Sequence, residues 1–501
     1  MDDLKAATRP FLDWYGIFAS HRKEEADGRI WSQEPPTGVR LAVETAKKSE
    51  VFFHRERPWE QDANLHINTM LYDGGRYRLW YGVAKVDDVA GSYVCYAESD
   101  DGFEWERPEL GLVDYEGNSR NNIISAGRDH FLGSVFIDPN APEAERYKAI
   151  GPVGRYYRDG VLDLDMDKQK FKELLVALDL GGVSAAEQRR KIEIRQAVSA
   201  SVSPDGIHWT NVEEPILDVG NTALDTHNLA VWDPYEERYV LYLRGHLERR
   251  RLVRRADSAD FRSFPQARPC LMADPGDLAD DDIYNSCYTP YPGRQLYLMF
   301  PSFYHRIPST VDVQLAISHD SHTWIRPERK PIIDLSNDQG EDYGCIYASP
   351  NLVALDSGDW RLPFSGHYRL HDFLERGASY PMDTELRWAE WKEDRLVGLE
   401  AEGEGFVALV EKTCLGQEMR LNYRTEPGGS IKVELIQPPG TPPKEVKAVE
   451  GFSLAEAEPL AGDELSAVVR WNGSGDLSAL AGELLSVRLH LNKAKVFSIA
   501  M

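Results

Sequence analysis

Cysteine is scarce and unpaired: Cys95, Cys270, Cys287, Cys345 and Cys414 are an odd number with no regular spacing. A disulfide framework or a zinc knuckle needs paired spacings, so free thiols carried in strands are expected. Basic residues are outnumbered, 57 Lys and Arg against 82 Asp and Glu, for a formal net charge of −25. The one basic tract is Arg249-Arg250-Arg251 followed by Arg254-Arg255. Nucleic acid and anionic membranes require a positive footprint and are not expected as partners. Long apolar runs are also missing. No stretch approaches the ~20 residues of a membrane span, and Met1-Asp2-Asp3-Leu4-Lys5 opens on charge, not on a signal-peptide run. A soluble, cytoplasmic protein of undetermined oligomeric state is expected.

What the chain has in abundance is a repeat. Asp225-Thr226-His227-Asn228 opens an apolar stretch to Trp232, then comes a turn at Asp233-Pro234 and a second stretch, Arg238-Tyr239-Val240-Leu241-Tyr242-Leu243. This reads as two strands of a meander. The same turn and second strand recur at Asp73-Gly74-Gly75-Arg76-Tyr77, at Asp138-Pro139 with Arg146-Tyr147, at Pro292-Gly293-Arg294 with Tyr297, and at Ser357-Gly358-Asp359-Trp360. A second marker fixes the phase: Ser99-Asp100-Asp101-Gly102, Ser203-Pro204-Asp205-Gly206 and Ser318-His319-Asp320-Ser321 are each followed by a tryptophan, at Trp105, Trp209 and Trp324. Four short strands per unit, at a spacing of about 55 to 65 residues, are what a propeller blade requires, and five units predict five blades.

The expected fold is therefore all-β: a five-bladed β-propeller over 59–398, an N-terminal arm over 1–58 that could latch the ring, and a C-terminal β-sandwich over 399–501. Blade two is interrupted at about 153–195 by a small helical insertion, with helices expected at 165–178 and 184–192. Sandwich strands are expected at 406–412, 419–424, 431–435, 467–471, 485–491 and 496–501, joined by Gly-Gly and Pro-Pro turns.

In a propeller the first strand of each blade lines the central channel, and the residues opening those strands converge at one end. The openers are acidic: Glu60 and Asp62, Asp129, Asp225, Asp282, then Glu341 and Asp342. Gathered carboxylates suit glycoside hydrolysis, one acid protonating the leaving oxygen and another acting as nucleophile or base. Any single Asp before a strand is also a common turn or cap residue. Asp62, Asp225 and Glu341 are the expected catalytic acids, with Asp129, Asp282, Asp342 and Glu60 in reserve. Substrate contacts are expected from Trp59, Asn64 and His66, from His130, from His227, Asn228, Arg244 and His246, and from Tyr284, Asn285, Tyr343 and His367. No pair of histidines has the spacing of a zinc site on one helix or knuckle, so no metal and no cofactor are expected.

The Trp59-X-X-Asp62-X-Asn64 arrangement resembles the nucleophile motif of the invertase-like family 32 glycoside hydrolases, which share a five-bladed superfamily with the arabinanase-like family 43. The stretch from Trp105 to Asn122 and Asp225-X-X-Asn228 are similar to an uncharacterised bacterial family-32-like group. The resemblance implies a propeller followed by a sandwich, and a glycosidase. An Arg-Asp-Pro acid in blade two and a Glu-Cys acid/base in blade three are absent; Arg128-Asp129-His130 is a partial echo, and Asp225 opens blade three. The sequence leaves three readings: a glycoside hydrolase acting on a furanoside or small oligosaccharide, a non-catalytic carbohydrate-binding propeller, and a phosphorylase or transglycosidase on the same frame.

Overall fold

The computed structural model describes residues 8–18, 21–24, 26–28, 30–84, 92–126, 133–163, 166, 170–171, 173–174, 176, 192–337, 340–372, 384–437 and 446–501. Among these residues the elements are strands and three 3-10 turns, in keeping with an all-β chain, and Lys170, Phe171, Glu173, Leu174 and Val176 are helical. Most of the strands belong to a propeller-like ring of antiparallel sheets. The first sheet is the meander Asn64–Asp73, Arg76–Ala84, Tyr93–Ser99 and Ile123–Ala126. The second is built on Ser134–Ile137, Tyr147–Arg158 and Ile192–Ser203, and the third on Leu229–Asp233, Arg238–Leu247, Arg250–Ser258 and Arg268–Leu271.

Beyond Asp281 the ladders run together. An eight-stranded sheet carries Asp281–Ile283, Ser302–His305 and Thr310–Val313 on to Cys345–Ala348, Asp359–His367 and Thr384–Lys392. Three short strands, Tyr288–Pro290, Tyr297–Met299 and Ala316–Ser318, form a separate ladder. Pro301, which has no N–H to give, and Cys287, at φ 41, interrupt the strands between the two ladders.

Side chains on the innermost strands tie each sheet to the next. The Val135 N–H donates to Thr69 Oγ1 (2.8 Å) and the Ala230 N–H to Ser134 Oγ (3.4 Å). Thr226 Oγ1 donates to the Tyr284 carbonyl (3.3 Å), and the Leu352 N–H to Thr289 Oγ1 (3.2 Å). Ser349 Oγ closes the circuit on the Ile67 carbonyl (3.2 Å).

The repeated residues perform the same task farther out. In the Ser-X-Asp-Gly turns, Asp101 and Asp205 each accept two backbone N–H groups, and Gly102 and Gly206 sit at φ 82 and 80. The carbonyl so presented is met by an indole from the preceding sheet: Trp80 Nε1 donates to Gly206 O (2.8 Å), and Trp388 Nε1 to Gly102 O (3.0 Å). A Cβ on Gly206 would come within 2.6 Å of Trp80. The repeated tyrosines reach back to the turn aspartates of the preceding unit: Tyr147 to Asp73 (3.1 Å), Tyr239 to Asp138 (2.6 Å) and Tyr297 to Asp233 (3.3 Å).

Two expectations are redrawn. The interruption at 153–195 begins and ends as strand, because Tyr147–Arg158 pairs with Ile192–Ser203 as far as Arg158↔Ile192. Asp159-Gly160, at φ 52 and 80, then turns Val161–Leu162 back onto Tyr157 and Arg158. The helices expected at 165–178 and 184–192 lie mostly outside the described residues. In the C-terminal region the short strands merge into Arg420–Ile436 and Leu484–Ala500, two 17-residue strands in one seven-stranded sheet. Pro427-Gly428-Gly429 is a bulge within the first of them: the register jumps between Thr425 and Ser430 while pairing continues on both sides.

The N-terminal segment belongs to both parts. Arg40–Val43 pairs with Val397–Ala408 of the C-terminal sheet, and Lys47–Phe53 pairs with Thr384–Lys392 of the ring. One apolar cluster runs through ring and C-terminal sheet alike, taking in Phe300, Trp360 and Trp391 with Leu421, Val433 and Leu489. Arg395 fastens the junction through Asn422 Oδ1 (2.8 Å) and the carbonyls of Tyr423 and Glu464 (both 3.2 Å).

Candidate functional site

Strand register decides which side chains share an end of the ring. His66 lies opposite Gly82, Asp282 opposite Tyr304, His246 opposite Arg251, and His367 opposite both Cys345 and Thr384. The openings of the inner strands therefore stand beside the closings of the second strands and the starts of the third. Two groups of polar side chains result.

The first group holds three histidines from three parts of the ring. The His66 ring lies over Gly82, where a Cβ would come within 2.1 Å of it. Burial, and then the neighbouring His227 and His367, push His66 down to about 4. His227 Nε2 donates to the carbonyl of Asn68, in the first sheet (2.6 Å), and burial lowers its pKa as well. Thr384 Oγ1 donates to Asn64 Oδ1 (2.9 Å), so the 3.1 Å contact between His367 Nδ1 and the Thr384 oxygen has the histidine as donor. Arg369 Nη1 reaches the same Asn64 oxygen at 3.4 Å, while Asn64 Nδ2 is buried with no partner. Imidazoles, an amide and a hydroxyl make a donor and acceptor set suited to a ligand rich in hydroxyls.

The second group is charged and aromatic. Arg244 is buried and pairs with Asp225, whose side chain is 72% exposed, and its other arm lies 3.4 Å from His246 Nε2. The Arg251 guanidinium lies 4.7 Å from the Tyr284 ring centroid and 5.2 Å from that of Tyr304. His371 packs on Tyr304 at 4.2 Å and bonds Asp372 through Nδ1 (2.7 Å). Asp372 also accepts from the Tyr304 hydroxyl (2.5 Å) and Ser309 Oγ (3.0 Å). Burial, and then hydrogen bonding to Asp372, push the Tyr304 hydroxyl up to about 12. Burial lowers His371, with Arg251 and Arg244 adding to it and Asp372 opposing.

The residues singled out from the sequence divide accordingly. Asn64, His66, His227 and His367 meet in the first group; Asp225, Arg244, His246 and Tyr284 meet in the second. Asp62, at φ 51, and Glu341 and Asp342 are exposed at strand openings, and Asn337 Oδ1 accepts the Glu341 N–H (2.9 Å). Asn228 and Asn285 are strand clamps, each accepting a second-strand N–H: that of Arg244 (2.8 Å) and that of Ser302 (3.0 Å). Glu60 is wholly buried, accepting from Tyr81 (2.6 Å), Arg107 (2.9 Å) and the N–H groups of Glu56 and Arg57. Asp282 is buried between Arg250 and Arg306. Trp59 packs edge-on against Tyr115, and the Tyr343 hydroxyl donates to Glu385 (2.6 Å). Asp129 and His130 lie outside the described residues. Arg251, His371 and Asp372 did not stand out in the sequence as site residues; the one hint was the basic tract that ends on Arg251. Among the described residues, no group of three or more His, Cys, Asp or Glu side chains is placed to hold a metal ion.

No family model matches the sequence, and no curated protein matches it. Solved structures are similar in fold. A thermostable family-43 glycoside hydrolase aligns with a TM-score of 0.42 and 12% identity, over 68% of this chain and 95% of that one. A β-1,2-mannobiose phosphorylase from Listeria innocua gives 0.42 and 12%, over 70% and 98%. An exo-inulinase from Aspergillus awamori gives 0.39 and 11%, over 92% and 98%.

Proposed function

We propose that the protein is a glycoside hydrolase that cleaves a furanoside or small oligosaccharide at the open end of a five-bladed ring. In this reading the eight-stranded sheet and its satellite ladder together make the fourth and fifth blades, with Lys47–Phe53 as the outermost strand of the fifth. The C-terminal sheet, bent along its two long strands, serves as the sandwich domain of an invertase-like, family-32-like architecture.

One observation carries the reading. Among the acids that open inner strands, Glu60 and Asp282 are buried in ion pairs, whereas Asp62, Asp225, Glu341 and Asp342 keep their carboxyl groups in solvent. Asp225 is also held by a buried arginine beside imidazole and tyrosine side chains. Exposed carboxylates at the strand openings of different sheets suit paired acid and base work on a glycosidic bond. Asp225 and Asp62 are proposed as nucleophile or base and Glu341 as proton donor. The histidines His66, His227 and His367, with Asn64, would bond sugar hydroxyls.

The test is release of nitrophenol from a panel of nitrophenyl furanosides and pyranosides, with and without phosphate. Hydrolysis that Asp225→Asn abolishes supports the reading. Tight sugar binding with no turnover on any member would replace it with a carbohydrate-binding ring, and turnover that depends on phosphate would replace it with a phosphorylase.

A further inference from the structure

The hairpin of Arg238–Leu247 and Arg250–Ser258 delivers more positive charge to the open end of the ring than its neighbours neutralise. The Arg244 side chain is 8% exposed; Asp225 takes one arm, and Nε is buried with no partner. Arg254 donates through Nε and Nη2 to the Arg244 carbonyl (3.3 and 3.1 Å), bracing that backbone and adding a third charge. Arg251 is enclosed by the Tyr284 and Tyr304 rings, and its Nη1 is buried with no hydrogen-bond partner. Among the described residues no carboxylate pairs with the Arg251 guanidinium. The nearby acids are committed: Asp282 to Arg250 and Arg306, and Asp372 to Tyr304, Ser309 and His371.

A buried guanidinium N–H without an acceptor is costly, and two converging guanidinium groups repel one another, so the arrangement is completed only by a ligand that accepts hydrogen bonds and carries negative charge. Arginine's planar fork matches a two-oxygen anion. We propose that Arg244 and Arg251 receive an oxyanionic group of the ligand, the carboxylate of a uronic acid or a phosphate. The inference deepens the carbohydrate reading, since it specifies the charge that the bound molecule carries at this end of the ring.

Calorimetric titration of the full chain tests it, with glucuronate, galacturonate and inorganic phosphate against glucose and galactose. At least one anion should bind about tenfold or more tightly than the neutral sugars, and added salt should reduce that advantage. Which anion does so tells the uronate source from the phosphate source. Arg251→Gln should bring the ratio to about one. Arg251→Lys retains a charge over the two rings and loses only the fork, so it tests the same contact at less risk to folding and should bind the anion more weakly than the parent. No preference for any anion, or a preference that both variants leave intact, overturns the inference. Cleavage of neutral glycosides without anion preference would overturn it and leave the hydrolase reading standing; anion binding with no glycoside cleaved would do the reverse.

Discussion

The Tyr239 hydroxyl donates a 2.6 Å hydrogen bond to Oδ2 of Asp138, the oxygen that also lies 2.7 Å from Lys148 Nζ. The aspartate and lysine belong to the second sheet and the tyrosine to the third, so one buried oxygen joins two sheets. Tyr239→Phe should cost about 1.5 to 3 kcal/mol in urea unfolding, the value of a hydrogen bond to a charged group. Asp138→Ala should cost more, about 3 to 5 kcal/mol, because it strands a buried ammonium. Burial opposes the Asp138 charge, yet Lys148, Tyr239 and the Asn140 N–H hold the carboxyl below its ordinary range. Its stabilisation is therefore complete above the unfolded pKa near ~3.9 and is lost as pH falls through the lower folded value.

His66 gives a dependence in a different window. Its folded pKa is about 4, lowered first by burial and then by His227 and His367. An unfolded histidine titrates near ~6.5, so between these values the unfolded chain takes up a proton that the folded chain refuses. Stability should fall as pH drops from neutrality toward 4. His66→Gln should flatten that part of a plot of urea midpoint against pH; an unchanged slope would count against the assignment.

Gly206→Ala should destabilise by about 2 to 4 kcal/mol, combining the left-handed backbone with a clash in packed surroundings. The backbone is at φ 80, and the new Cβ would meet Trp80 at 2.6 Å. Thermal unfolding measures the effect. Gly74, also at positive φ but with nothing near a Cβ, is the control and should cost less on the same substitution.

Asp225→Asn should lower turnover by about two to four orders of magnitude, the usual contribution of a positioned acid or base. Because the side chain is 72% exposed and an amide oxygen can still accept from Arg244, the melting temperature should change little. Asp62→Asn and Glu341→Gln are expected to behave alike. Near-parental turnover in Asp225→Asn would remove it from the catalytic set.

Residues 1–398 expressed alone should give poorly soluble protein, since the cut exposes Trp391 and its apolar neighbours and strips Arg395 of Asn422 and Tyr423. A soluble truncation that melts as cooperatively as the full chain would show that the two parts are separable.

The repeat was readable because its residues answer to local chemistry. Asp-Gly turns, the Arg-Tyr second strands and the closing tryptophans make bonds that recur from unit to unit, as Trp209 does at Gly206, Trp324 at Ser321 and Tyr239 at Asp138. The strand openings were readable for the same reason, and they led to His66, Asp225 and His227. Spacing could not say which acids turn inward to an arginine. Glu60 looks like its neighbour Asp62 in the sequence, yet Arg107, 47 positions on, claims it. Arg251 is hidden for the converse reason: its partners are rings at 284 and 304, fixed by packing between sheets and not by periodicity. The C-terminal strands were cut too short because Gly428-Gly429 signals a turn, and only the partner Leu484–Ala500 reveals a bulge.

The strand Lys47–Phe53 also sets a timetable for the nascent chain. Ser49 accepts the Trp388 N–H from 339 positions away, so on a ribosome adding about 5 to 20 residues per second it waits roughly twenty to seventy seconds for its partner. During that wait an edge bearing Val51, Phe52 and Phe53 has no ladder to join. The seam that completes the ring is thus made from the first and last parts of the ring to be synthesised. Closure there should be the slow step of refolding, and chaperones that bind extended apolar segments should find their site in this strand.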